Sequence, residues 1–140
     1  DIVDQNCAYC MEGELVAKFG IKICELETSK VYLFKEQSHP GRCIVAHKKH
    51  VGDMNELTAE ERAAYFEDVA RVARAIMKAF NPDKVNYGAY GDTGHHLHFH
   101  LCPKYKDEYE WGGVFLMNPD KKYLTDEEYA AMIEKIKANL

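Results

Sequence analysis

Three histidines separated by single apolar residues are the strongest chemical signal in the chain. Residues 96–103 read HLHFHLCP, so histidines alternate with Leu97, Phe99 and Leu101. A period of two is typical of a β-strand with two unlike faces. His96, His98 and His100 are therefore predicted to project together from one face, where imidazoles can bind, attack or ligate near pH 7. Three titratable groups on one small patch indicate a functional site rather than a solvated edge strand.

A second signal is the pair Cys7 and Cys10 near the start of the chain. Such a Cys-x-x-Cys pair can be a redox motif, half of a metal site, or a reduced pair packed under a sheet. No second Cys-x-x-Cys follows, but two histidines could complete a tetrahedral zinc site of two thiolates and two imidazoles.

Composition limits the possible partners and compartment. The 140 residues suffice for one domain, which we place over residues 1–140. A net charge of -5 argues against a nucleic-acid partner. No apolar run is long enough to span a membrane, and the first residues do not resemble a signal peptide. Five cysteines, an odd number, fit a reducing compartment, so we expect a cytoplasmic protein.

The strands and helices that position these residues can be predicted from the periodicity of apolar residues and from turn and capping residues. Short β-type runs at 15–19, 21–26, 30–34 and 42–46 predict an antiparallel meander. Two capping boxes then predict two helices, one from Thr58 to about Phe80 and one opened by Thr125. A strand at 84–88 leads to the histidines. The fold class is therefore α+β, an antiparallel sheet with one long helix and a C-terminal helix.

Two further expectations concern packing. The long helix carries an apolar stripe that we predict to be core, formed by Phe66, Val69, Ala73, Ile76 and Phe80. The segment 47–49, which contains His47 and two lysines, is expected to be a solvated loop.

Residues 96–102 resemble the His-φ-His-φ-His-φ-φ motif of the histidine triad (HIT) family of nucleotide hydrolases and transferases. The order of residues 38–51, the long helix and the Gly91-x-Thr93 turn is similar to the family's as well. The resemblance thus extends from Cys7 to about Tyr105. It implies a HIT-like fold, a purine nucleotide substrate, and a homodimer formed through the long helix and a strand.

The resemblance also implies roles for single residues. His98 would be the nucleophile, with its other nitrogen held by a backbone carbonyl, and His100 would bind the phosphate. Gly91 and Thr93 would contact the phosphate, and Asn86 the leaving-group side. Four residues correspond to base contacts in the family, and each is equally expected to be plain core: Phe19, Ile21, Leu33 and Phe34.

The zinc ligands of some family members correspond here to Cys7, Cys10, His50 and His96. We expect structural zinc at these residues. His96 has two competing roles, metal ligation and orientation of the active-site histidines, and we assign it to the metal.

Two departures from the family pattern leave the function open. Phe34 stands where the family often has a ribose-binding Asp, and Asp92 would repel a phosphate if it faced the pocket. The main hypothesis is a hydrolase or transferase acting at the α-phosphate of a nucleoside phosphoramidate or dinucleoside polyphosphate through a nucleotidyl-histidine. The alternatives are a nucleotide-binding regulatory module with weak or no catalysis, and a zinc-dependent hydrolase.

Overall fold

The computed structural model describes residues 3–140. Residues 3–140 form five strands, four α-helices and one short 3-10 helix. In chain order the elements are α1 (Ala8–Met11), α2 (Glu14–Ala17), β1 (Gly20–Glu25), β2 (Ser29–Phe34), β3 (Cys43–His47), the 3-10 helix (Met54–Glu56), α3 (Ala59–Phe80), β4 (Lys84–Gly88), β5 (His98–Lys104) and α4 (Asp126–Lys137).

The strands form one antiparallel sheet in the order β1-β2-β3-β5-β4. Helices α3 and α4 pack on one face, where Val31, Val45 and Leu101 are buried in the main core. The opposite face carries Ile44 beside His100 and Ala46 beside His98. This alternation confirms the α+β prediction, because the period of two gives each strand an apolar side for the helices and a second side for the site.

Both predicted helices are confirmed, including their capping boxes. The Thr58 hydroxyl accepts from the Glu61 amide, and Thr125 caps α4 through Glu128 in the same way. Helix α3 ends where Asn81 adopts a left-handed conformation with φ of 51°. No helix within the described residues has the length and apolar character needed to cross a bilayer.

Two expectations about the first half of the chain are wrong. Residues 15–19 are not a strand, because Gly13, at φ 59°, begins the helical turn α2, which buries Val16. A five-residue apolar run cannot distinguish strand from helix by periodicity. His47 is not solvated either: it is the last residue of β3 and is buried against Tyr65, at a ring distance of 5.2 Å.

The apolar stripe of α3 is core with one exception. Val69, Ala73 and Ile76 are buried, whereas Phe66 is 37% exposed and packs on Phe99 at the rim of the helix face.

Candidate active site and metal centre

A cavity of about 730 Å³ lies over the histidine face of the sheet. His96, His98 and His100 line it together, as the alternation predicts. The N-terminal segment forms one side of the cavity, and the turn 90–95 and the segment 115–118 form the others.

The ring of His98 is fixed by its own strand. Its Nδ1 lies 2.6 Å from the main-chain oxygen of His96. A carbonyl oxygen only accepts, so Nδ1 carries the proton, and Nε2 of the neutral ring keeps a lone pair. Among the described residues the ring of His98 makes no hydrogen bond besides this one, so its Nε2 is without a partner, and the side chain lines the cavity. A neutral imidazole held in this way can act as a nucleophile.

The ring of His100 has the opposite tautomer. Its Nδ1 lies 3.0 Å from Nη2 of Arg42. A guanidinium only donates, so Nδ1 accepts, and the proton of the neutral ring resides on Nε2. His100 is therefore a neutral hydrogen-bond donor directed at the cavity, 5.4 Å from the His98 ring.

Burial keeps both rings neutral. It lowers the pKa of His98, although the hydrogen bond to His96 opposes the shift. Burial lowers the pKa of His100 to about 2, assisted by the charge of Arg42. A charged imidazole loses hydration in such surroundings, so the free base is favoured at neutral pH.

The turn before β5 supplies backbone and hydroxyl groups. Gly91 adopts a φ of 127°, a conformation open to glycine and strained for other residues. Gly91 and Thr93 both line the cavity, as expected of phosphate contacts. Asp92 lines it too, so a carboxylate lies at the mouth of the site.

Aromatic rings form the walls. Tyr9 packs on the His98 ring at 4.9 Å, and Phe34 meets His100 edge-on at 5.5 Å. Phe115 covers His100 from the other side, at 6.3 Å. Gly88 makes room for this ring, since a Cβ there would lie 2.8 Å from Phe115.

Three of the proposed substrate contacts lie elsewhere. Leu33 is fully buried in the main core and Ile21 packs against it, on the sheet face away from the histidines. These two residues are core, and only Phe19 and Phe34 of the four candidates line the cavity. Asn86 pairs with Cys102 near the far end of β5 and does not reach the cavity.

The four predicted metal ligands lie together. Their candidate ligand atoms are all within 4.8 Å of one another. Cys7 Sγ lies 3.3 Å from His96 Nδ1, Cys10 Sγ 3.2 Å from His50 Nδ1, and the two Nδ1 atoms are 3.1 Å apart. A tetrahedral zinc ion with bonds of about 2.0–2.3 Å separates its ligands by roughly 3.3–3.8 Å. Two thiols and two imidazoles at these spacings fit zinc.

The geometry of His96 is compatible with both of the roles that its sequence position suggests. Its Nδ1 faces the cysteines, while its Nε2 donates to the main-chain oxygen of His47 at 2.6 Å. Such a bond fixes the tautomer and directs the free nitrogen at a metal. The His96 carbonyl meanwhile orients His98. The side chain thus belongs to the metal cluster and the main chain to the active site.

Comparison with known proteins assigns this constellation to a family. The family model described as HIT domain matches residues 20–107, which include the histidine motif and all five strands of the sheet. The chain belongs to the HIT family.

Relatives across the HIT family share the fold. Adenosine 5'-monophosphoramidase hnt1 of Schizosaccharomyces pombe is 26% identical over 144 residues, covering 96% of this chain and 98% of that protein. A histidine triad protein of Sinorhizobium meliloti 1021 matches with a TM-score of 0.84 at 24% identity, over 91% of this chain and 95% of that one. A Zn-bound histidine triad family protein of Mycobacterium smegmatis matches with a TM-score of 0.67 at 21% identity, over 94% of each chain.

The two residues that follow Phe34, Lys35 and Glu36, do not line the cavity and form hydrogen bonds elsewhere. Glu36 is buried and accepts from the Ser38 hydroxyl and from the amides of Lys121 and Lys122. Lys35 donates to the main-chain oxygen of Ala17. Both side chains are thus engaged in fixing neighbouring segments.

Three residues of the site escaped the sequence analysis. Arg42 precedes an apolar strand, a position with no signal for a buried cation. Tyr9 lies between the two cysteines, whose spacing draws attention to sulfur rather than to the ring. Phe115 is 15 residues beyond His100 and reaches the cavity only because the loop folds back.

Proposed function

We propose that this protein is a nucleotidyl hydrolase or transferase that acts at the α-phosphate of a purine nucleoside phosphoramidate or dinucleoside polyphosphate. The observation that carries the proposal is the hydrogen bond from His98 Nδ1 to the His96 carbonyl. Because Nδ1 holds the proton, Nε2 has a free lone pair on the cavity side of the ring. The similarity to a protein named adenosine 5'-monophosphoramidase supports the phosphoramidate class.

In this mechanism His98 Nε2 attacks the α-phosphorus, the P–N or P–O bond to the leaving group breaks, and that group takes up a proton from water and departs as an amine or a nucleotide. A nucleotidyl-histidine forms, and water then attacks the same phosphorus and releases His98. The Nε2–H of His100 donates to a phosphate oxygen, and the backbone at Gly91 and the hydroxyl of Thr93 supply further donors. The nucleoside base lies between Tyr9, Phe19 and Phe34, whose rings offer stacking surface.

The test is intact-protein mass spectrometry after an acid-free quench, with adenosine phosphoramidate and diadenosine tetraphosphate as substrates. Wild type and the control Arg74→Ala are expected to gain one adenylyl mass, because Arg74 is exposed on α3 and does not line the cavity. His98→Ala should show no adduct and lose turnover by roughly 10³-fold or more. Turnover that persists in His98→Ala would contradict the assignment.

The alternative, nucleotide binding with little or no catalysis, is favoured by Asp92 at the cavity mouth. A carboxylate there opposes the negative charge that builds up on the phosphate oxygens during transfer, which would slow catalysis in a protein that still binds nucleotides. Nucleotide binding by wild type, without an adduct and without turnover of either compound, would select this alternative.

We propose that the cluster of Cys7, Cys10, His50 and His96 holds structural zinc. The fit of the ligand spacing supports this role, and a zinc-bound protein of the same fold gives it further support. When bound, zinc would cross-link α1 to the segments before α3 and β5. All five cysteines are free thiols, which fits a protein of a reducing compartment such as the cytoplasm.

We further propose a homodimer formed through α3 and β4. A partly exposed apolar patch lies there, lined by Phe66, Val69, Ala70, Tyr87 and Phe99. Tyr87 is 52% exposed, and β4 is an edge strand of the sheet. A second copy could cover the patch and pair with this edge.

A further inference from the structure

Arg42 lies behind the histidines and takes no part in the mechanism as described. It comes directly before β3, and its side chain is completely buried. Its guanidinium stacks 4.1 Å above the Phe34 ring and 4.9 Å from the Phe115 ring. The cation is therefore enclosed by the aromatic walls of the cavity.

The hydrogen bonds of Arg42 leave its charge uncompensated. Nη1 and Nη2 donate to the main-chain oxygens of Leu116 and Met117, at 3.2 and 2.9 Å. Nη2 also donates to His100 Nδ1, and within residues 3–140 none of its hydrogen-bond partners is a carboxylate.

Two carboxylates, Glu36 and Glu110, act electrostatically on Arg42, but both form their hydrogen bonds with other groups. Glu36 binds the amides of Lys121 and Lys122, and Glu110 accepts from the Leu116 amide and contacts His39 at 2.6 Å. Burying a cation without a counter-ion is costly, because the charge loses its hydration. An anion bound on the cavity side of His100 would offset that cost.

We infer that Arg42 is the positioning residue that makes His100 a phosphate donor and the source of the site's fixed positive charge. By donating to Nδ1, Arg42 holds the proton of His100 on Nε2, where it meets the substrate. The guanidinium is thus linked to the phosphate through the His100 ring. This inference rests on the proposed function for its substrate and on hydrogen-bond geometry for the tautomer.

The tautomer can be tested in the wild-type protein without substrate. Long-range 1H–15N spectra of 15N-histidine protein at neutral pH, assigned with His100→Gln, should show His100 protonated on Nε2 and His98 on Nδ1. A His100 ring that is protonated on Nδ1, or on both nitrogens, would overturn the inference. This result is independent of turnover, so it is distinct from a failure of the proposed function.

Kinetic measurements test whether the positive charge of Arg42 assists the reaction. Arg42→Met should lower kcat for adenosine phosphoramidate by roughly 10- to 100-fold with a smaller change in KM, because the donor acts mainly on transition-state charge. Arg42→Lys should recover part of the loss, and the exposed control Arg74→Met should match wild type. A folded Arg42→Met protein with wild-type kcat would refute the role. If Arg42→Met does not fold, the tautomer of His100 in the wild-type spectra decides whether the inference holds.

Discussion

His98 and His100 lie two residues apart on one strand face, but they carry their protons on different nitrogens. The difference comes from the partner of each Nδ1. A carbonyl oxygen accepts from His98, whereas a guanidinium donates to His100. One repeated residue type thereby supplies a lone pair and an N–H donor to the same cavity.

At the residue scale we predict a pH dependence of stability that belongs to His100. Burial and Arg42 lower its pKa from 6.5 to about 2, so at intermediate pH the unfolded chain takes up a proton that the folded protein does not. This contribution is complete above pH 6.5 and is lost as the pH falls. From pH 7 to pH 5, wild type should lose about 2 kcal/mol more unfolding free energy than His100→Gln.

Urea unfolding of both proteins at the two pH values measures this difference. Zinc-containing buffer is used throughout, so that protonation of the metal cluster contributes equally to both proteins and cancels. Equal losses in wild type and His100→Gln would show that His100 titrates alike in the folded and unfolded states.

At the element scale, the short helix α1 joins the metal cluster to the active site. Cys7 caps this helix and Cys10 lies in its turn, so both thiols point toward His50 and His96. Tyr9 lies between them and is buried against His96 and His98, at 5.4 and 4.9 Å. A four-residue helix is unstable alone, and the metal would fix it in place.

We therefore predict that loss of the thiols loosens the wall of the active site. Cys7→Ala and Cys10→Ala should lose zinc by metal analysis and lower Tm by roughly 5–10 °C. Cys24 is a half-buried thiol outside the cluster, so the control Cys24→Ala should retain the zinc content and the Tm of wild type. Both variants at wild-type Tm and zinc content would contradict a structural metal. Activity that stops on chelation of a protein that stays folded would instead favour a zinc-dependent hydrolase.

At the scale of the whole molecule, the site is assembled on one sheet face and the apolar patch on the opposite side of the same strands. His98 and His100 face the cavity, while Phe99 between them points to the patch beside Phe66. Packing of a second copy on the patch would therefore support β5 from behind.

We predict a dimer that is broken by charge at this patch. Light scattering coupled to size exclusion should give a dimer for wild type and a monomer for Tyr87→Lys, because a lysine buried against apolar side chains is costly. Val114→Lys changes a side chain that is 86% exposed on the loop after β5 and should remain dimeric. A monomeric wild type, or a dimeric Tyr87→Lys, would place the interface elsewhere or exclude it.

The sequence by itself determined the features that depend on local spacing. Alternation placed His96, His98 and His100 on one face, and capping boxes located α3 and α4, whereas the spacing of Cys7 and Cys10 indicated at most half of a metal site and the full ligand set came from the resemblance to the HIT family. Period and cap chemistry are encoded within a few residues, so each can be interpreted without knowledge of the fold.

Tertiary structure alone decided the features that depend on contacts distant in sequence. It moved Leu33 and Ile21 into the core, buried His47, and brought Arg42 and Phe115 around His100. Arg42 and His100 are 58 residues apart, and no local sequence pattern indicates which nitrogen of His100 accepts the hydrogen bond from the guanidinium. The protonation of the triad is therefore a property of the packed sheet, because each tautomer is set by a partner that only folding supplies.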